Sequence, residues 1–322
     1  DPISQEEYFQ LRACFEPLEL RHDRVAGESD PGPFRKYVYA ESYGPIKSGM
    51  IRVFDEVLDA PTYMYAGGDE RNKIEGRPPI EPGVPAALGG EFSVEPVSLP
   101  ARGWYPGLKP FVQIEELAAT QRALTESEAA LTAARTAWAT METQLAAAAE
   151  STATGAATAG GTTPAPAIAP EAVELARSQL QAAEARVLAD RFRHQSLAAR
   201  IAADNARYQP GDEKSDSEHA ATIESLARLA SQAERMASLT AARQVLADSQ
   251  QKLATAKAQP VEDAATQEVN VAKLETELAE ARRAVDTAWS ALAVESSEYA
   301  PLGPQYPNQS TGRRRALARW IT

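Results

Sequence analysis

Carboxylates and aromatic side chains gather in one stretch of this chain. Asp55-Glu56, Asp69-Glu70-Arg71 and Glu81 lie among tyrosines and precede Trp104-Tyr105. Paired carboxyl groups flanking a glycosidic bond are the working parts of most glycosidases, and an aromatic face is a natural platform for a sugar ring. Asp55, Glu56, Asp69, Glu70, Trp104 and Tyr105 are therefore the candidate carbohydrate contacts. A plainer reading makes the acids solvated turn residues and the aromatics the filling of a small β-rich core. The plainer reading is favoured, because the carboxylate separation that defines a glycosidase is invisible in sequence.

Other chemistry is thinner. The three histidines, His22, His194 and His219, are scattered, and none stands at a metal-ligand spacing from another. Cys14 is the single cysteine, so neither an internal disulfide nor a cysteine-based metal cluster is expected. No cofactor is expected in this chain. Gly67-Gly68 and Gly89-Gly90 lack the spacing of phosphate-cradling loops, and no G-x-S-x-G elbow occurs. Arg313-Arg314-Arg315 with Arg319 reads as the solvated face of a helix rather than a nucleic-acid contact. Asn308-Gln309-Ser310 matches a glycosylation sequon, which matters only in a eukaryotic secretory protein. There is no catalytic signature, and composition and pattern alone do not name a function.

A net charge of −12 argues against a general phosphate-backbone binder, so nucleic acid is not an expected partner. No run approaches the roughly 18 apolar residues that span a bilayer. Aromatics make up only 7% of the chain and Ala supplies much of its apolar content. Alanine buries little area, so the Ala-rich half relies more on helix propensity than on burial.

The elements that must position these residues fall into three blocks. Residues 1–111 form a mixed, Pro-rich base. Ser4 is placed to cap a helix over Gln5–Phe15, with Tyr8, Leu11 and Phe15 on its apolar face. Short β-prone runs follow at 37–39, 50–54, 62–65 and 92–94, the second and third flanking a plausible antiparallel connection at 58–61. Residues 112–298 form an Ala-rich coiled coil. Leu117, Leu124, Leu131, Trp138 and Leu145 recur every seven residues, as do Val173, Leu180, Val187, His194, Ile201 and Tyr208. Leu239, Leu246 and Leu253 continue the pattern in a third segment, and Val271, Leu278, Val285 and Leu292 in a fourth. Breaks are expected near 151–170, 209–216 and 259–261, the first of them a mobile linker of small residues. Four helices of this length, each reaching roughly 55 Å, make either one bundle or two hairpins in series. Residues 299–322 then form a return segment and the start of a further helical domain, with Leu317, Trp320 and Ile321 as an apolar face.

The flanks carry a resemblance. Residues 1–9 (DPISQEEYF) resemble the segment after the haem-attachment motif in large cytochrome-c-linked proteins of planctomycete bacteria. Residues 60–72 (APTYMYAGGDERN) with 82–90 (PGVPAALGG) are similar to the end of the first of two planctomycete-specific domains in those proteins. Residues 310–321 (STGRRRALARWI) resemble the opening of the second. The resemblance implies an exported protein of the periplasm or cell envelope and a longer polypeptide of which this chain is a piece. Haem c is implied only outside this chain, which has no Cys-x-x-Cys-His motif.

The reading that results is a mainly α protein: a long antiparallel coiled coil or bundle projecting from a small Pro-rich base with short strands. Its expected role is that of a spacer or docking arm within a cytochrome-c-associated protein. The expected partners are neighbouring domains of the same polypeptide and another protein bound through the coiled coil. The alternative is a polysaccharide-binding or -degrading module built on the acids and aromatics of the base.

Overall fold

Two stretches far apart in sequence, 1–113 and 303–322, fold together as one unit, and 114–302 make a second. These features are described from a computed structural model covering residues 3–34, 49–155, 169–209, 216–259 and 264–322. The protein is mainly helical. Helices α1 (Gln5–Ala13), α2 (Ala101–Trp104) and α7 (Arg313–Ile321) belong to the first unit, as do the four strands among the described residues. Helix α3 (Pro110–Gly155) leads into the second, which holds α4 (Pro170–Tyr208), α5 (Asp216–Ala258) and α6 (Ala264–Ala291).

Helix α1 starts where its sequence dictates. Ser4 Oγ accepts from the Glu7 backbone N–H at 3.2 Å, and Glu7 Oε2 accepts from the Ser4 N–H at 2.8 Å, a reciprocal capping box. Its buried face differs from the expected one. Phe9, Ala13 and the following Cys14 are inside, whereas Tyr8 and Phe15 are exposed. Phe9 anchors that face edge-on against Tyr65 at 5.8 Å.

Strand β1 (Leu18–Asp23) pairs antiparallel with β2 (Met50–Asp55), placing Leu18 opposite Asp55 and Arg21 opposite Arg52. The sequence pattern offers β2 but not β1, whose Glu, Arg, His and Asp have little strand propensity. The 62–65 run forms only isolated bridges, Thr62 to Ile80 and Tyr65 to Lys73, and 92–94 is irregular. The run at 37–39 lies outside the described residues. A second pair joins the chain's far ends: β3 (Val97–Ser98) lies antiparallel to β4 (Gln309–Ser310). Helix α7 then follows its N-cap Gly312, whose φ of 76° is left-handed. A β-carbon there would lie 1.8 Å from the Glu95 carbonyl oxygen, so the close approach of the two segments requires glycine. Ala316 and Leu317 are the buried face of α7, while Ile321 is exposed.

In the helical unit, α3 reaches α4 through three contacts whose order shows an antiparallel pair. Thr120 Oγ1 lies 2.8 Å from His194 Nδ1, Glu128 pairs with Arg191 at 3.7 Å, and Glu184 with Arg135 at 3.5 Å. Helices α5 and α6 are likewise antiparallel, with Gln267 Nε2 donating to the Ala256 carbonyl, Lys257 pairing with Glu275, and Arg243 over Trp289. The closest pair is α4 with α5. Its intimacy follows from side-chain size: Ala182, Ala189, Ser196 and Ala203 recur every seven residues on α4 and are all buried, as are Thr240, Ala247 and Ala254 on α5. Small side chains let two helix backbones approach closely, so dispersion between backbones replaces the burial that larger residues provide. Helix α4 thus has a second seam beside the Val187 and Ile201 stripe, where one narrow stripe is the expectation from sequence.

The breaks expected near 209–216 and 259–261 lie largely outside the described residues, and two helix boundaries differ from expectation. Residues 151–155, expected in the linker, continue α3, and the rest of that linker to Ile168 lies outside the described residues. Helix α6 ends at Ala291 rather than near Glu298. Its last turn tightens, with Leu292, Ala293 and Val294 donating three residues back, and the chain then crosses α4 and α5 as an extended strap. Arg200 donates to the carbonyls of Ala300 at 2.7 Å and Pro301 at 2.9 Å, and Glu234 accepts from the Ala300 N–H at 3.0 Å. Ser231 Oγ donates to the Glu298 carbonyl at 2.6 Å, and the Tyr299 hydroxyl to buried Asp204 at 2.9 Å.

If the α4–α5 seam depends on small side chains, Ala189→Leu overpacks it and destabilises the protein by about 1–3 kcal/mol. Ala198→Leu, on the exposed side of the same helix, should stay within about 0.5 kcal/mol of the parent. Urea unfolding of both variants is the check, and equal effects would place the tight packing elsewhere.

Candidate functional site

Asp55, the last residue of β2, is the carboxylate nearest to a constructed site. It is buried, and its two oxygens are fully engaged. Oδ2 accepts from Ser310 Oγ at 2.7 Å and from both the backbone N–H and Oγ1 of Thr311 at 2.8 Å. Arg314 Nη2 donates to Oδ1 at 2.6 Å. Burial pushes the carboxyl upward. The hydrogen bonds from Ser310 and Thr311 and the charge of Arg314 outweigh it and hold the group below the ordinary aspartate value. One cation and neutral donors therefore satisfy one anion.

Asp23, the last residue of β1, is the second buried carboxylate. Arg21 Nε contacts its Oδ1 at 2.9 Å, while Arg52 Nε and Lys109 Nζ contact Oδ2 at 2.9 and 2.8 Å. Arg21 is itself buried, donates to the Gly103 carbonyl at 2.6 Å, and lies 4.1 Å from the Tyr306 ring centroid. Burial again opposes ionisation, and Lys109, Arg21 and Arg52 together hold the carboxyl below its usual value. Sequence reasoning passes over this cluster. Its one local signal is that Arg21 and Asp23 stand two apart, the spacing that puts both on one face of a strand.

The other sequence candidates scatter. Glu56 is exposed. Asp69 forms an exposed pair with Arg71 at 2.6 Å, and Glu70 pairs with Arg12 of α1. Tyr105 is fully buried and stacks on half-buried Trp104 at 6.1 Å, so this pair packs the unit rather than offering an open aromatic face. A hollow of about 290 Å³ lies beside Ser310 and Thr311, lined by Leu58, Glu81, Pro82, Val94 and Arg313 among others. Neither Glu56, Asp69, Glu70 nor Trp104 lines it. No paired-carboxylate cleft emerges from these six residues.

The C-terminal arginines also have work that differs from the solvated face expected of them. Arg313 Nη1 donates to the carbonyls of Ala13 and Ala60 at 3.1 Å, Arg314 holds Asp55, and Arg315 reaches Glu95 at 3.4 Å. Arg315 and Arg319 keep the expected exposure, and Arg319 takes no part in these bonds. Around the sequon, the Asn308 carbonyl accepts from the Leu99 N–H, and Ser310 Oγ is spent on Asp55. The helical unit contributes a hollow of about 450 Å³ where α3, α4 and α5 meet. Its charged lining is already committed, Arg193 to Asp190 and Arg200 and Glu234 to the strap.

Among the described residues no group of three or more His, Cys, Asp or Glu is arranged to hold a metal ion, and no helix is long and apolar enough to cross a membrane. Comparison with known proteins finds no matching family model, curated protein or solved structure.

The depressed carboxyls give the unit a defined pH response. A group whose folded value lies below its unfolded one contributes stability above the unfolded value, and that contribution is lost as pH falls through the folded value. For Asp55 the loss therefore begins below about pH 4, the ordinary aspartate range. Asp55→Asn keeps the shape, removes the charge and leaves Arg314 uncompensated; it should cost about 3 kcal/mol or more at pH 7. The gap between parent and variant in urea unfolding should narrow at pH 2–3. A gap independent of pH would show that the charge is not its source.

Proposed function

We propose that this chain is a scaffold segment in which a discontinuous base carries a helical insertion that works as a spacer or docking arm. The observation that carries the reading is the bonding of residues 50–60 to 310–314 through Asp55, Arg313 and Arg314. A chain that leaves a folded unit and later returns to complete it has the organisation of a domain with an insertion. Such sites tolerate long inserts, because the closure cost of a loop grows only with the logarithm of its length. Four antiparallel helices return the chain toward its point of departure. Their length supports an extended arm: α3, at 46 residues, reaches roughly 70 Å.

The wider setting rests on the resemblance of the three flanking segments. On that basis the chain belongs to an exported, cytochrome-c-associated polypeptide of the periplasm or cell envelope, with haem carried elsewhere. Its partners are then the neighbouring domains of that polypeptide and a protein docked on the helices. Sugar binding is the weaker reading, since Asp55 is saturated and Tyr105 is buried.

The arm reading is tested by replacing 114–302 with a short Gly/Ser linker. The shortened protein should remain soluble, retain cooperative unfolding and keep the acid response of Asp55, and its maximum dimension in small-angle scattering should fall by tens of ångströms, the scale of the helices removed. Loss of cooperative unfolding would mean that the helices share the core of the base and are not an insertion.

A further inference from the structure

The two buried aspartates of the base are held in different ways. Asp55 is satisfied by one arginine and three neutral donor groups. Asp23 has three cations on its single negative charge, Arg21, Arg52 and Lys109. Among the described residues no second carboxylate is paired with these three, so the four described side chains carry a net charge of +2. Arg21 and Arg52 also stand directly opposite each other across β1 and β2, an unfavourable arrangement for like charges unless anions lie between them. Asp55 shows that holding a buried carboxylate in this unit does not require such an excess.

Placement of the surplus is as informative as its size. Arg21 and Asp23 form a floor that is nearly inaccessible to solvent, with side-chain exposures of 4% and 1%. Above it, Lys109 keeps 20% of its side chain exposed and Arg52 keeps 44%. Arg52 Nε and Lys109 Nζ lie 2.9 and 2.8 Å from the same Oδ2 atom, so they are separated by no more than the sum of these, 5.7 Å. Two nitrogens at that separation can each donate to a different oxygen of one tetrahedral oxyanion, with charge-assisted bonds of about 2.8 Å. Arg52 retains two further guanidinium nitrogens for the same ligand. The nearer cations outweigh the more distant Asp23, since Coulomb energy falls with separation.

The geometry points to an anion site over Asp23, formed by Arg52 and Lys109 on a floor of Arg21 and Asp23, that takes a phosphate-class dianion. The dianion matches the surplus charge, and a monoanionic carboxylate neutralises only half of it. A free phosphate and the headgroup of an anionic lipid present the same oxygens.

The full 322-residue chain is titrated with inorganic phosphate at low ionic strength, and with acetate as the monoanion control, by calorimetry and by the shift of its thermal midpoint. Vesicles of phosphatidylcholine with and without phosphatidic acid form a separate arm. The expected result is saturable phosphate binding, weaker binding of acetate, and roughly tenfold loss of phosphate affinity in Arg52→Gln and in Lys109→Gln, the scale of one charge-assisted hydrogen bond. Each variant leaves Asp23 two cations, so circular dichroism should show the parental fold. Binding to phosphatidic-acid vesicles but not to free phosphate identifies a headgroup site; binding to phosphate alone identifies a small-anion site. The proposal is overturned if neither probe gives a saturable response, or if both folded variants bind as the parent does.

Discussion

A single carboxylate fixes how this chain closes. Once Asp55 is buried at the end of β2, leaving it unpaired would cost several kcal/mol, and every partner it uses lies at 310–314. The C-terminal segment must therefore come back to the base. The same return sets β4 against β3 and brings Gly312 so near the Glu95 carbonyl that no side chain fits. Arg313 completes the closure by donating to the backbone carbonyls of Ala13, the last residue of α1, and of Ala60. The constraint on the intervening residues is only that they return, and four antiparallel helices satisfy it.

The helical unit solves a different problem with different means. An alanine-rich helix has high intrinsic propensity but little area to bury. The α4–α5 seam answers this by close approach: small residues at a seven-residue repeat bring the backbones together where bulky ones would hold them apart. Close approach alone leaves helices free to slide, and polar contacts remove that freedom. His194 meets Thr120 across α3 and α4, consistent with a polar heptad position that sets register. At the end of the unit the strap is held almost wholly by side chains that bond its backbone, from Arg200, Ser231 and Glu234. That capture explains why a seven-residue pattern running through Leu292 does not extend the helix to Glu298. The pattern reports local preference, and the backbone carbonyls of 298–301 find partners outside a helix.

What could be read from the sequence divides along the same line. Helices α3 to α6 are visible because seven-residue periodicity is a local signal. The Ser4 cap is visible for the same reason. Strand β1 is hidden, because its Arg21 and Asp23 are favourable in a strand only with Arg52 and Lys109 in place, residues far along the chain. The pairing of β3 with β4 has no local trace at all. Asp55 is one of six candidate carbohydrate contacts in the sequence, and its partners at 310–314 are read there as a helix start and a solvated basic face. Tyr105 is fully buried, as the favoured reading of the aromatics as core packing expects.

The base is better understood as a unit specified by polar clasps than as one built around a large apolar core. Among the described residues its fully buried large apolar side chains are few, chiefly Phe9, Tyr105 and Leu108. Apolar contacts of that kind are tolerant of rearrangement, because one hydrophobic neighbour substitutes for another. Buried charges are not tolerant: Asp55 and Asp23 each become strongly unfavourable in any compact arrangement that omits their cations. The penalty falls on wrong structures more than it rewards the right one. In a unit whose chain is interrupted by a long helical excursion, that discrimination keeps 303–322 paired with its own base rather than with another surface. The clasps thus do for a discontinuous domain what chain continuity does for an ordinary one.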